Sequence, residues 1–494
     1  MARLAGPSKE APAQELIDAG FAWEIADAPL LHHGLNMADM GHVLDLRARQ
    51  VIPADAAAAL LGVLLDAHET EPEDFPYHPE YGEVYNSRER VFVGKIGDSA
   101  GWLHAGRPRR EAARVALRLL LRRQTAELIA SFASFADTTG RVARDHAETF
   151  MPDQTYLQQA QPSTFGHYLL GFVPPALRDA QRLVHALGEV NASPGGAGCV
   201  NGSRLLDDRS RIADLLGFDE VITHTRDAMW QTDTFIDVLA TCVSAVTNQS
   251  KLSEDLEIWS SQEFNYVDLA GPFTRASVLM PQKRNPYSLS IVRGASGVMI
   301  GRLTGFLAVV KSPSARSDNL IFAYGEIPRA LDFTRKISAL TSGVVDTLTV
   351  NADRMWNELD GGFSQATDLA EFIMVAAGID YRSAYFIVGN AVRTASSGRV
   401  RGRDITVDML DEAATEVIGS PLGLDATELA DALDPRKIVA TRTALGGAAP
   451  AELHRMADKF LADAQQLNKT AATALDQYKA AEAHVVAQAK NLAT

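Results

Sequence analysis

The chain has 494 residues, enough for roughly two to four domains with a sizeable apolar core. Its 47 basic against 62 acidic residues give a formal charge of −15, which argues against nucleic acid or an anionic membrane as the main partner. The 22% charged and 46% hydrophobic content describes a soluble globular protein.

In chain order, residues 1–20 mix Lys, Glu and Asp with small residues and hold no long apolar run, so they are not read as a signal peptide. No stretch reaches the roughly 18 to 20 apolar residues of a spanning helix. Residues 113–135 have helical periodicity, with Arg and Gln on one side and Leu, Ile and Phe on the other. Ser193-Pro-Gly-Gly-Ala-Gly198 is glycine-rich but lacks the Gly-Lys-Ser/Thr ending of a phosphate loop, and reads as a turn near the active site. From Ile236, Leu239, Val243 and Val246 step by three and four and Leu252, Leu256 and Trp259 resume the stripe, which predicts one helix over about 235–260. Another is predicted to begin at Pro286, with Asn285 as its N-cap. After residue 450, Leu461, Ala464, Leu467, Ala471, Ala474, Leu475, Tyr478 and Ala481 form an alanine-rich stripe suited to subunit or domain packing. Long helices with short connections imply an all-α bundle. Cys199 and Cys242 have no ligand-like spacing, so neither a disulfide framework nor a zinc site is indicated. No cofactor or metal is expected, and the cytoplasm is the simplest compartment.

Between these helices, residues 274–285 read Thr-Arg-Ala-Ser-Val-Leu-Met-Pro-Gln-Lys-Arg-Asn. Pro281 and Pro286 disfavour helix in the residues before them, so the segment is a loop carrying a hydroxyl, a cation and a carboxamide at Ser277, Lys283 and Asn285. A serine that can be deprotonated beside a lysine that can hold a carboxylate suits proton abstraction next to a carboxyl group. Spacing alone leaves an ordinary polar surface loop equally open.

The segment resembles the signature loop of the fumarase/aspartase superfamily, Gly-Ser-Ser-x-Met-Pro-x-Lys-x-Asn-Pro, with Ala276 for the glycine and Val278 for the second serine. Two further blocks resemble argininosuccinate lyases: Gly101-Trp-Leu-His-Ala-Gly-Arg-Pro-Arg-Arg110, and Thr155-Tyr-Leu-Gln-Gln-Ala-Gln-Pro162. The stretches 253–269 and 446–453 are similar as well. The resemblance implies a three-domain fold, divided near 1–112, 113–361 and 362–494, whose long central bundle assembles as a homotetramer. It also implies beta-elimination that releases fumarate from a small-molecule substrate, in active sites shared between three subunits. On that pattern Ser277 is the general base, Lys283 and Asn285 face the activated carboxylate, and Thr155 contacts substrate. Arg107, Arg109, Arg110, Tyr156, Gln158, Met280, Ser290 and Arg316 are the expected substrate-binding residues. The loop over about 271–285 is expected to close over its ligand.

Departures from argininosuccinate lyase at seven positions concern the leaving group. The family's histidine after the threonine is Tyr156, and its paired glutamate is Ser290. The family's asparagine in the first block is Arg110, and the serine before the arginine is Pro108. The family's tyrosine, glutamine and aspartate that help hold the arginine part fall on Arg316, Ile321 and Ala323. Arginine offers paired donors to carboxylate, so these changes favour an N-substituted aspartate with extra carboxylates, as for ethylenediaminedisuccinate (EDDS) lyases, over argininosuccinate. Without the histidine, the departing amine is expected to take its proton from water or to leave from its own ammonium form. A non-catalytic structural relative is the alternative of another class, against which the retained Ser277, Lys283, Asn285 and Thr155 argue.

Overall fold

The computed structural model describes residues 11–316, 321–322 and 324–493. The family positions Ser314 to Ala323 are therefore covered only in part, and Ala323 lies outside the described residues. Helices dominate, among them α1 (Ala22–Ala48), α2 (Val84–Ile96), α3 (Arg109–Asp145), α4 (Val173–Val190), α5 (Asp233–Trp259), α6 (Tyr287–Val309), α7 (Glu326–Thr347) and α8 (Pro450–Ala493). No helix among the described residues is long and apolar enough to cross a membrane.

The central core is one cluster to which α3, α4, α5, α6 and α7 all contribute, including Leu128, Leu183, Leu239, Val292 and Leu331. α5 matches its predicted span to within two residues, because Leu239, Val246, Leu252, Leu256 and Trp259 of its stripe are buried, with Val243 partly so. α3 is longer than predicted, and its arginine side is buried too. Arg114 donates to the carbonyl of Met229, Arg118 to those of Glu189 and Val190, and Arg122 to those of Leu216 and Gly217. These guanidiniums satisfy carbonyls at the ends of neighbouring segments, a use that periodicity cannot distinguish from a solvated face. Burial lowers Arg118 and Arg122 to about 10.

α8 runs roughly 66 Å at 1.5 Å per residue. Leu453, Ala457 and Ala464 join the core at one end of the bundle, Leu467, Ala471 and Tyr478 the central core, and Val485 and Ala489 the N-terminal core. The alanine stripe thus packs within the chain. Residues 369–433 keep a separate core of their own around Leu369, Ile387 and Leu410.

α6 begins at Tyr287 with Pro286 as its N-cap residue, and no side chain caps it. The expected cap, Asn285, instead donates its amide to the Arg275 carbonyl at 2.9 Å. The outer face of α6 carries exposed Ile291, Val298, Ile300 and Leu307. It also carries Gly294, Gly297, Gly301 and Gly305, where an added Cβ would meet open space.

Candidate active site

The three sequence blocks occupy three different settings. The first surrounds the start of α3. Arg107 is 3% exposed and turned inward, donating to the Ala38 carbonyl at 3.1 Å and pairing with Asp39. Asp39 also receives Arg88 at 2.7 Å and the Tyr85 hydroxyl at 3.0 Å. Burial pushes this carboxyl up, but the two guanidiniums outweigh it and hold Asp39 below the usual carboxylate range. Arg109 bridges Glu83 at 2.7 Å and Glu89 at 2.9 Å. Arg110 lines a cavity of about 40 Å³ together with Arg109, Glu24, Asp27, Glu83, Ile321 and Tyr324. The three arginines of the block thus have different surroundings. Arg107 is paired with Asp39 and Arg109 with Glu83 and Glu89, and Arg109 and Arg110 line the cavity.

Next along α3, Glu111 is buried and its carboxylate accepts the Gly196 and Gly198 amides at 2.6 and 2.7 Å. Gly196 and Gly198 have φ of 73° and 62°, a conformation that glycine adopts without strain. The glycine-rich turn is thus fastened to the arginine block. Burial pushes Glu111 up to about 7, against the pull of Arg107 and the two amides.

The second block is a hairpin, which the sequence reading did not foresee. β1 (Phe150–Thr155) pairs antiparallel with β2 (Gln158–Thr164), Thr155 opposite Gln158. Thr155 is an exposed strand end, and helix capping falls to Thr164. Tyr156 and Leu157 form the two-residue tip with φ of 54° and 60°, where hairpins prefer Asn-Gly. Tyr156 is 99% exposed. Backbone strain at such a tip is tolerated where surroundings or function demand it.

The third block is a smaller hairpin, β3 (Arg275–Ala276) with β4 (Arg284–Asn285), and the prolines do keep it from being helical. Arg284 anchors it to Asp268 at 3.0 Å and to the Leu269 carbonyl at 2.6 Å. The Ser277 Oγ accepts the amides of Leu279 at 3.3 Å and Met280 at 3.0 Å. Two N–H donors on the oxygen stabilise the alkoxide form that a serine base requires. The Lys283 amide donates to the Met280 carbonyl at 3.1 Å, and the lysine is exposed.

Ser290, in the first turn of α6, is exposed and donates to Glu257 at 3.2 Å; Arg293 also pairs with Glu257, at 2.7 Å. Arg316 is exposed and follows two left-handed residues, Ser314 and Ala315. Gln158 is exposed at the start of β2. Glu24, Asp27 and Tyr324 line the cavity but carry no motif, and only their location marks them.

A lyase family model matches residues 80–301, and an argininosuccinate lyase C-terminal model matches residues 363–440. The argininosuccinate lyase of Methanococcoides burtonii is 32% identical over 425 residues, covering 85% of each chain. That of Methanothrix thermoacetophila is 32% identical over 426 residues, again 85% of each. Among solved structures, EDDS lyase in complex with formate has a TM-score of 0.86 at 26% identity, covering 100% of this chain and 98% of that one. The 3-carboxy-cis,cis-muconate lactonizing enzyme of Pseudomonas putida, at TM-score 0.71 and 19% identity, covers 92% of this chain and 100% of its own and shares the fold. With the signature-like sequence of the loop, the helical bundle and these relatives in agreement, the chain belongs to the fumarase/aspartase superfamily, among its argininosuccinate lyase-like members, and is a fumarate-releasing carbon–nitrogen lyase.

Proposed function

We propose that the substrate is an N-substituted aspartate whose leaving amine bears further carboxylates, an aminopolycarboxylate such as EDDS. Ser277 removes the proton from the carbon beta to the leaving nitrogen. The electron pair forms the fumarate double bond, the carbon–nitrogen bond breaks with its pair on nitrogen, and the amine leaves from its ammonium form or takes its proton from water. The Leu279 and Met280 amides steady the Ser277 oxygen while it is charged. Lys283 and Asn285 face the carboxylate whose charge rises, and Thr155, Gln158 and Met280 bound the fumarate half. Arg110 and Arg316 receive carboxylates of the amine half, beside Tyr156 and Ser290. Arg107 positions the block through Asp39, and Arg109 acts from its bridge to Glu83 and Glu89.

One observation carries the choice of substrate. Arg110 and Ile321 line a single cavity. At these two positions the resemblance places asparagine and glutamine in argininosuccinate lyases, so a guanidinium and an apolar side chain line the cavity where uncharged hydrogen-bonding groups stood. The likeness to EDDS lyase along the whole chain supports the same reading. Argininosuccinate itself is the second reading, favoured by the curated relatives at 32% identity.

The open apolar and glycine-studded face of α6 supports a homotetramer in which copies meet along the bundle, and with it an active site whose three blocks come from three subunits. Fumarate release measured across EDDS, related aminopolycarboxylates and argininosuccinate tests the assignment. Turnover of EDDS with little of argininosuccinate is expected. Efficient argininosuccinate cleavage without response to aminopolycarboxylates would replace it by the second reading.

A further inference from the structure

The hairpin of β1 and β2 carries Thr155, Tyr156 and Gln158 at an exposed tip, yet its stalk is held from two directions. On the bundle side, the Trp259 indole at the end of α5 donates to Gln154 Oε1 at 3.3 Å, one residue before Thr155. On the other side stand two pieces of chain remote from it in sequence. The helix Ala352–Gly361 brings the Trp356 ring edge-on to Phe150, the first residue of β1, with centroids 6.2 Å apart. The short helix Pro435–Ala440 places the Arg436 guanidinium 4.3 Å from the centre of the Trp356 ring and 5.8 Å from that of Phe150. A guanidinium over a ring face is held by the ring quadrupole, so Phe150, Trp356 and Arg436 form one clamp.

The same two pieces are the way into and out of the C-terminal unit, whose core lies within residues 369–433. At the entry, Gln159 donates to the Glu358 carbonyl at 3.4 Å, and a Cβ added at Gly362 would overlap Gln159 Oε1. Inside the unit, a Cβ added at Gly402 would overlap the Gly362 carbonyl, and Arg401 and Arg403 both pair with Asp360. At the exit, Asp434 accepts the Arg436 amide at 2.9 Å and fixes the start of its helix. Both junctions therefore rest on the hairpin.

We propose that Trp356 and Arg436 are positioning residues for the substrate-contacting tip. Through Phe150 they fix the direction of the hairpin, and so the place of Thr155 and Gln158 against the fumarate half, without touching substrate themselves. This rests on the assignment of Thr155 and Gln158 made above. The tip needs such support, because Tyr156 and Leu157 hold left-handed conformations, which persist only where the surroundings over-determine them. The clamp acts on binding rather than on proton abstraction, since Ser277, Lys283 and Asn285 belong to the other hairpin.

Direct binding of fumarate to the full-length chain tests the clamp, together with kcat and KM for fumarate release from EDDS, or from argininosuccinate if that is what the unaltered chain turns over. Arg436→Met removes a cation from an exposed site and is expected to weaken fumarate binding and raise KM about threefold to tenfold, with kcat changed by less than about twofold. Arg436→Lys keeps a cation and should stay within about twofold of the unaltered chain. Trp356→Leu removes both ring contacts and should exceed Arg436→Met. A clamp that only stabilised the fold would give the opposite split, since fewer folded molecules lower the apparent kcat and leave KM alone. That split, or normal fumarate affinity in Arg436→Met, would overturn the proposal, and Arg436→Met decides alone if Trp356→Leu fails to fold. Thr155→Ala separates the underlying assignment. Weaker fumarate binding there with none in Arg436→Met sinks the clamp only, whereas normal binding in Thr155→Ala removes the tip from the fumarate half and the clamp's role with it.

Discussion

The arginine block at the start of α3 and the Ser277 hairpin both carry groups assigned to substrate, yet they are completed in opposite ways. Around Arg107 every strong charge has a buried partner: Asp39 takes Arg107, Arg88 and Tyr85, and Glu111 takes two glycine amides. The Ser277 hairpin satisfies itself with local backbone bonds and leaves its tip in solvent, with Leu279 83% exposed and Val278 fully so. The Tyr156 tip is similarly bare. The difference separates two duties. The first region has to hold its shape before substrate arrives. The hairpins leave Tyr156, Val278 and Leu279 exposed at their tips, as the proposed contact with substrate or another copy of the chain requires.

That division predicts that activity and stability respond separately. Ser277→Ala should lower kcat by about 10² to 10⁴, the usual worth of a positioned general base, while the melting temperature stays near that of the unaltered chain. Fumarate release and a thermal melt on one preparation check both halves, and turnover close to normal would remove Ser277 from its role. Arg107→Met should do the reverse. It leaves Asp39 short of a buried cation and should destabilise by about 3–5 kcal/mol in denaturant unfolding. A change below about 1 kcal/mol there would mean that the Asp39 network is not what fixes the block.

A pH series sharpens the comparison further. Glu111 is raised in the folded chain to about 7 from an ordinary 4.5. A raised carboxyl stabilises fully below its unfolded value and loses that contribution as pH climbs through the folded one. Stability should therefore fall between about pH 4.5 and 7 by up to about 3 kcal/mol, at 1.36 kcal/mol per unit. Glu111→Gln should flatten this slope in unfolding experiments. A slope that is unchanged in Glu111→Gln would locate the titration elsewhere. The smallest effect is expected at the exposed tip. Tyr156→Gly relieves a left-handed residue, worth about 1–2 kcal/mol, but gives back about 0.5–1 kcal/mol of chain entropy, so melting should rise slightly or not at all. A marked loss of stability would reveal that a neighbouring molecule covers Tyr156.

How far the sequence could be read depended on whether the relevant interaction was local. The prolines at 281 and 286 act on the residues beside them, and the segment they flank is indeed non-helical. The stripe of α5 repeats within a few turns, and its ends were placed to within two residues. Asn285 was misjudged as a helix cap because its actual acceptor, the Arg275 carbonyl, is reached only through the pairing of β3 with β4. The hairpin at Thr155 was likewise hidden. Its tip residues, Tyr156 and Leu157, lack the Asn-Gly chemistry that normally announces such a turn.

From the sequence alone came the helical class, the position of the reactive loop, the superfamily and the direction in which the amine pocket departs from argininosuccinate lyase. The helical class rests on periodicity and the loop on its prolines, whereas the superfamily and the departures rest on the resemblance of three motif blocks, all of which residue order fixes. The tertiary structure decided which charges are free. It turned Arg107 towards Asp39, buried Arg114, Arg118 and Arg122 against carbonyls, and gathered Glu24, Asp27 and Glu83 around Arg110. The reason is that a charge is neutralised by whatever lies within a few ångströms, and in this fold those neighbours come from segments tens to hundreds of residues away, as with Arg329 on Asp27.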